Sequence, residues 1–182
     1  MILRALLIVA IACLAACAGR TSRTPSQELE LRLPPASLGR GLVLQQRLTF
    51  VVAGETRQMD ALLEANADGV ALAVQAAGQS ALVLHWDGRK LEQQRAPWLP
   101  PQVRGERVLS DLQLSYWPAQ AIRASLPAGW TLDEAAGVRL LRRDGMDVVT
   151  VRFVSPDRIE IESHLDGVHL SIDSSPLAEE AQ

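Results

Sequence analysis

Apolar and polar residues alternate along most of this chain, and the alternation breaks once, in the middle. Val43 to Val52 is apolar at Leu44, Leu48, Phe50 and Val52, with Gln46 intruding on the same side. Ala61, Leu63 and Ala65, then Leu72, Val74 and Ala76, then Leu82, Leu84 and Trp86 repeat the pattern. Past the middle it resumes at Val138, Leu140, Val149 and Val151, and again at Ile159, Ile161, Leu165, Leu170 and Ile172. A period of two predicts strands with one apolar and one wet face, the usual form of an antiparallel meander. The break is Arg107 to Trp130. There Val108, Leu112 and Tyr116 recur four apart with Leu109 beside them, which predicts a helix with Arg107, Asp111 and Gln113 off its apolar face. Pro118 ends that helix and can start another, since its missing N–H is harmless in a first turn. Pro127 and Gly129 stop the second. The expected architecture is mainly β with central helices: a curved antiparallel sheet or unclosed barrel, covered by two short helices with an elbow at Trp117-Pro118.

Four Asp-Gly pairs, at 68–69, 87–88, 144–145 and 166–167, mark hairpins. A two-residue turn at each sets a register. Ala65 then faces Leu72, Leu63 faces Val74 and Ala61 faces Ala76; Leu140 faces Val149, Val138 faces Val151 and Arg142 faces Asp147, with Arg139, Arg143, Thr150 and Arg152 on the opposite, wet side. The inner face is rich in small residues, Ala61, Ala65, Ala76 and Gly78. That composition suits either an apolar void able to take hydrocarbon or a space filled by the helices.

The N-terminus changes the picture from fold to address. Arg4 precedes an apolar run too short to span a bilayer well, which ends in Leu14-Ala15-Ala16-Cys17. Small residues before a cysteine resemble the bacterial lipobox, which implies cleavage after residue 16 and acylation of Cys17. Ala18, rather than Asp, implies sorting to the outer membrane, facing the periplasm. The expected plan is a signal peptide at 1–16, a lipidated cysteine and tether at 17–41, one domain at 42–175, and a tail at 176–182. Cys13 leaves with the signal and Cys17 carries lipid, so the mature domain has neither disulfide nor thiolate nucleophile. A net charge of −3 argues against nucleic acid as a partner.

Candidate chemistry is sparse. His164 and His169 fall opposite each other in a two-residue hairpin, but on the face of Glu160, Glu162 and Asp173, so no metal site is assigned. Ser110, Asp111 and His164 lack a nucleophile-elbow context, and no glycine loop for phosphate is present. No catalytic residue and no cofactor is expected. Trp98 and Leu99, inside Ala96-Pro97-Trp98-Leu99-Pro100-Pro101, form a stiff loop whose apolar tip suits contact with a membrane or partner, or capping of the core.

Arg107-Val108-Leu109-Ser110-Asp111-Leu112-Gln113-Leu114, Tyr116-Trp117-Pro118 and Leu126-Pro127-Ala128-Gly129-Trp130 resemble the central signature of a family of bacterial lipoproteins commonly encoded in aryl-polyene pigment clusters. The layout is also similar to the lipoprotein carrier and acceptor LolA and LolB. These resemblances imply an outer-membrane lipoprotein that holds an acyl or polyene chain between helices and sheet and assists its transfer. Leu109, Leu112, Tyr116, Trp117, Ile122 and Trp130 would then line or gate the cavity. Two rival readings are a scaffold that recruits envelope biosynthesis or transport proteins, and an envelope hydrolase or acyltransferase using Ser110, Asp111 or His164. The anchor is directly testable: Cys17→Ser should abolish acyl mass on the mature N-terminus and move the protein from the membrane pellet to the soluble fraction.

Overall fold

The computed structural model describes residues 28–177, apart from 53 and 102. Ten antiparallel strands form one sheet. Five precede the helices: β1 (Leu42–Val52), β2 (Glu55–Ala65), β3 (Val70–Ala76), β4 (Gln79–Trp86) and β5 (Leu91–Arg95). Then come α1 (Gly105–Tyr116) and α2 (Ala119–Ser125). Five strands follow: β6 (Trp130–Ala135), β7 (Val138–Arg143), β8 (Met146–Ser155), β9 (Arg158–Ser163) and β10 (His169–Pro176). The spatial order is β5-β4-β3-β2-β1-β10-β9-β8-β7-β6, so two five-stranded meanders join through β1 and β10. The sheet is curved and unclosed, with β5 and β6 at its edges. The helices cross between those edges, and the elbow falls at Trp117-Pro118, as the proline requires.

The hairpins depart from the two-residue expectation in an instructive way. At Asp68-Gly69 the pairs are Ala65 with Val70, Leu63 with Leu72 and Ala61 with Val74. The turn is four residues long because Asn66 Oδ1 accepts from the N–H groups of both Asp68 and Gly69. The register moves by two, so the same residues stay inside. At Asp144-Gly145 the two-residue turn holds, Arg142 faces Asp147, and its Nε donates to Oδ1 at 2.7 Å. One residue later a bulge at Val148 shifts the register by one, so Leu141 pairs with Val149 and Arg139 with Val151. A shift of one reverses the faces. Leu141 and Arg139 point inward, where Leu140 and Val138 were expected. His169 pairs with Glu162 rather than with His164, because the β9–β10 connection is a longer loop.

Buried Arg139 is accounted for by its partners. Its Nη1 donates to the Leu114 carbonyl at 2.6 Å near the C-terminal end of α1, where a cation meets the negative end of the helix. Glu134 pairs with it, and the Phe153 ring lies 4.9 Å below its guanidinium. Gln113, expected off the buried face, is fully buried for a related reason. Its amide pairs with both backbone groups of Leu33: Oε1 accepts from Leu33 N–H at 3.1 Å, and Nε2 donates to Leu33 C=O at 3.1 Å. Ser110 Oγ accepts from Leu31 N–H at 2.8 Å, and Trp86 Nε1 donates to Leu33 C=O at 2.9 Å.

These bonds hold the stretch from Leu31 to Leu38 as a strap along α1, with Leu31, Leu33 and Leu38 at 1–3% exposure. This part of the expected tether is therefore built into the domain. Cys17 and the signal segment lie outside the described residues. Burial of Leu33 generates a prediction: Leu33→Ala should lower unfolding free energy by about 2–5 kcal/mol, read by urea titration.

Candidate functional site

Two places on the helical cover combine polar chemistry with space. The first lies under the strap. Arg107, in the first turn of α1, pairs with Glu28, three residues before the strap, at 3.1 Å, with Asp111 one turn on at 3.9 Å, and with Asp166 of the β9–β10 loop. Beside them is a cavity of about 30 Å³, room for about one water molecule, lined in part by Ser110, Asp111, Leu114 and Ser163. Desolvation pushes the Asp111 carboxyl up to about 7, against the opposing pull of Arg107. Asp166 moves the other way: burial raises it, but its bond to Arg107 and a further one to Ser163 leave it below the usual carboxylate range.

The second place is a cleft of about 410 Å³ where the C-terminal end of α1 meets the second meander. Arg40, Ser115, Tyr116, Phe153, Ser155, Pro156 and Ile159 line it. Its volume falls within the range of small-ligand sites. Gln46, the polar residue that interrupts the apolar side of β1, explains how Tyr116 is held. Gln46 Nε2 donates to Tyr116 Oη at 2.7 Å and to Ser174 Oγ at 3.1 Å. Burial pushes the Tyr116 phenol up, so it stays neutral at ordinary pH. Phe153 and Ile159 give the cleft apolar walls, and Arg40 is its one lining charge. Gly39, at φ 76°, ends the short 3-10 turn Pro35–Leu38 and aims the chain into β1 just before Arg40 turns to the cleft. Among the described residues no hydrogen bond or ion pair engages the Arg40 side chain.

The residues singled out in the sequence separate into groups. Leu109, Leu112, Trp117 and Ile122 are at 0–6% exposure inside the core. Trp117 Nε1 is bonded to Ser37 Oγ at 3.0 Å. Tyr116 reaches the cleft, and half-buried Trp130 lies under the Arg143 guanidinium at 5.8 Å. In the proline-rich loop, Leu99 is buried and Trp98 is 47% exposed. Ser110, Asp111 and His164 do not meet. Ser110 is committed to Leu31 and to the Glu106 carbonyl, while His164 Nε2 shares a hydrogen bond with Thr150 Oγ1 at 2.8 Å. Among the described residues no group of three His, Cys, Asp or Glu could hold a metal ion. Sequence reasoning missed Arg40, Phe153 and the role of Gln46; only the last left a signal, a polar residue where alternation demands an apolar one.

The family model for "Protein of unknown function (DUF3261)" matches residues 43–176, and the chain belongs to that family. A search of the curated proteins finds no match. Among solved structures, the chain is similar to a DUF1329 family protein from Desulfovibrio piger at a TM-score of 0.40 and 9% identity, over 81% of this chain and 90% of that one.

The Asp111 environment predicts a pH dependence of definite sign. Between the unfolded value of 3.8 and about 7 the folded protein keeps a proton that the unfolded chain releases. Stability from this group is therefore present at low pH and lost as pH rises through that window. Asp111→Asn should remove this loss. Its melting temperature relative to the native protein should rise from about pH 5 to about pH 8; a difference that stays flat would show that Asp111 titrates normally.

Proposed function

We propose, with membership of the DUF3261 family as the premise, that this chain is an outer-membrane lipoprotein facing the periplasm. It would hold one acyl or polyene chain and assist its transfer to the outer membrane, in the manner of LolA/LolB-like proteins. The observation that carries the reading is the cleft at Tyr116, with apolar walls, a volume of about 410 Å³ and the guanidinium of Arg40 beside them. Apolar walls favour a hydrocarbon tail through the area they remove from water, without direction. An unpaired cation beside them favours a carboxylate or phosphate at the end of that tail. The ligand class is thus an anionic single-chain amphiphile.

The cleft also shapes the mechanism. Leu109, Leu112, Trp117 and Ile122 fill the space between helices and sheet, and Gln113 and Trp117 pin α1 to the strap. Opening that interface would expose buried polar partners as well as core, whereas the cleft is reached without moving either helix. Loading is therefore assigned to the rim at Tyr116 and Phe153, not to a lid that lifts from the core. The same filled core favours a second reading, a scaffold that recruits envelope proteins and takes up no lipid.

Native mass spectrometry of the mature protein, isolated with minimal detergent, separates the two. A bound mass released as lipid or polyene by organic solvent supports the carrier; a clean apo mass with no uptake of added palmitate supports the scaffold. For the carrier, Arg40→Ala should weaken palmitate binding about fivefold, the effect of an exposed ion pair worth about 1 kcal/mol, with unfolding unchanged.

A further inference from the structure

Gln46 of β1, Ser174 of β10 and Tyr116 at the end of α1 meet beside the cleft, and their bonds leave one proton poorly placed. The Tyr116 oxygen accepts from Gln46 Nε2 at 2.7 Å. Among the described residues the acceptor for its own O–H is Ser174 Oγ, at 3.3 Å. That is well beyond the roughly 2.7–2.8 Å usual between hydroxyls, and Ser174 Oγ already accepts from the same amide at 3.1 Å. A charged oxygen in the cleft would be a stronger acceptor than that hydroxyl. Burial pushes the phenol up, so it keeps its proton at ordinary pH, and Arg40 is near enough for its charge to act on the same group.

The other hydroxyls of the cleft are spent. Ser115 Oγ donates to the Asp111 carbonyl at 2.7 Å, and Ser155 Oγ donates to the Asp157 carboxylate. The bond from Ser155 holds the Asp157 carboxyl below its ordinary range, so the β8–β9 turn keeps a negative charge beside the cleft. Arg158, next in that turn, is matched by Glu160 and by Asp173, each at 3.3 Å. A ligand therefore meets apolar walls, one unpaired guanidinium, one phenol proton and an anion at the margin.

We propose that Arg40 and the Tyr116 O–H together bind the carboxylate of a long-chain acid, and that Gln46 positions the phenol for it. The proposal rests on the carrier reading and narrows its ligand from an anionic amphiphile to a carboxylate. A carboxylate carries one charge and is matched by one guanidinium. A phosphate monoester carries a charge of about −1.5 to −2 at neutral pH. Its second charge would find no free cation in this cleft and would face Asp157. Gln46 is 2% exposed on the apolar side of β1, and burying an amide there is costly unless it is bonded. Its donation fills a lone pair of the phenol oxygen and leaves the O–H free to turn to a ligand.

The test is competition between palmitate, methyl palmitate and hexadecyl phosphate for the full mature protein, read by native mass spectrometry. Palmitate should bind about tenfold better than either competitor. Tyr116→Phe removes the proton and keeps the ring, and should narrow the gap between palmitate and its ester by about threefold. Gln46→Leu should narrow it in the same direction. A solely structural Gln46 would lower the urea midpoint and leave the ratio of the two ligands as it was. The carboxyl of bound 13C-labelled palmitate, followed by NMR, should also titrate lower in the native protein than in Tyr116→Phe, because a donor to the charged form favours it. Equal binding of palmitate and its ester, phosphate bound as well as palmitate, or a ratio indifferent to Tyr116→Phe would overturn the clamp and leave the cleft as an apolar lipid site. Uptake of none of the three would defeat the carrier reading as well.

Discussion

An open sheet has two edges and a concave apolar face, and water must be kept from all three. In this protein one connection begins the covering. The chain between β5 and β6 crosses the gap and is fastened by a hydrogen bond to each edge strand. Gln93 of β5 accepts from the Gly105 N–H at 2.8 Å and so starts α1. A Cβ at position 105 would sit 2.5 Å from that same oxygen, so a larger residue there would turn the Gln93 amide away and give up this bond. At the far edge Arg123 Nε donates to the Leu132 carbonyl of β6 at 2.9 Å. Between these points Leu109, Leu112 and Ile122 are pressed onto the sheet.

The strap is the second half of that solution. A helix of twelve residues is marginal on its own in water and depends on the surface it packs against. The strap gives α1 a second surface, beside the sheet, where Trp86 of β4 bonds the same Leu33 carbonyl, through buried polar bonds that apolar contact alone would not align. An amide that satisfies both the N–H and the C=O of Leu33 permits one register between strap and helix, since a slip by one residue would leave buried groups unpaired. The strap also joins the N-terminal segment mechanically to the helical cover and to the cleft. Arg40, the charge at that cleft, is fixed by where the strap ends.

Where sequence reasoning held and where it failed follows from the range of the forces involved. Alternation of period two and the prolines at 118 and 127 act within a few residues, and they were enough to specify an antiparallel sheet interrupted by two short helices. The four-residue recurrence also marked Val108, Leu112 and Tyr116, with Leu109 beside them, as the inward face of α1, and Leu109 and Leu112 are buried in the core. Register was less legible. Asn66 lengthened one turn and left the faces intact, whereas the bulge at Val148 reversed them and brought Arg139 inside. A bulge is decided by how two strands twist together, and that leaves no fixed mark on either strand alone.

The chain's own order of residues thus determined the elements, the apolar faces of most strands and the elbow, because each depends on neighbours in sequence. The tertiary structure alone decided that residues 31–38 belong to the core, that Gln46 meets Tyr116 across seventy positions and that Arg40 faces Phe153 over a cleft. Those outcomes depend on hydrogen bonds and contacts between segments that become neighbours only when the two meanders join at β1 and β10.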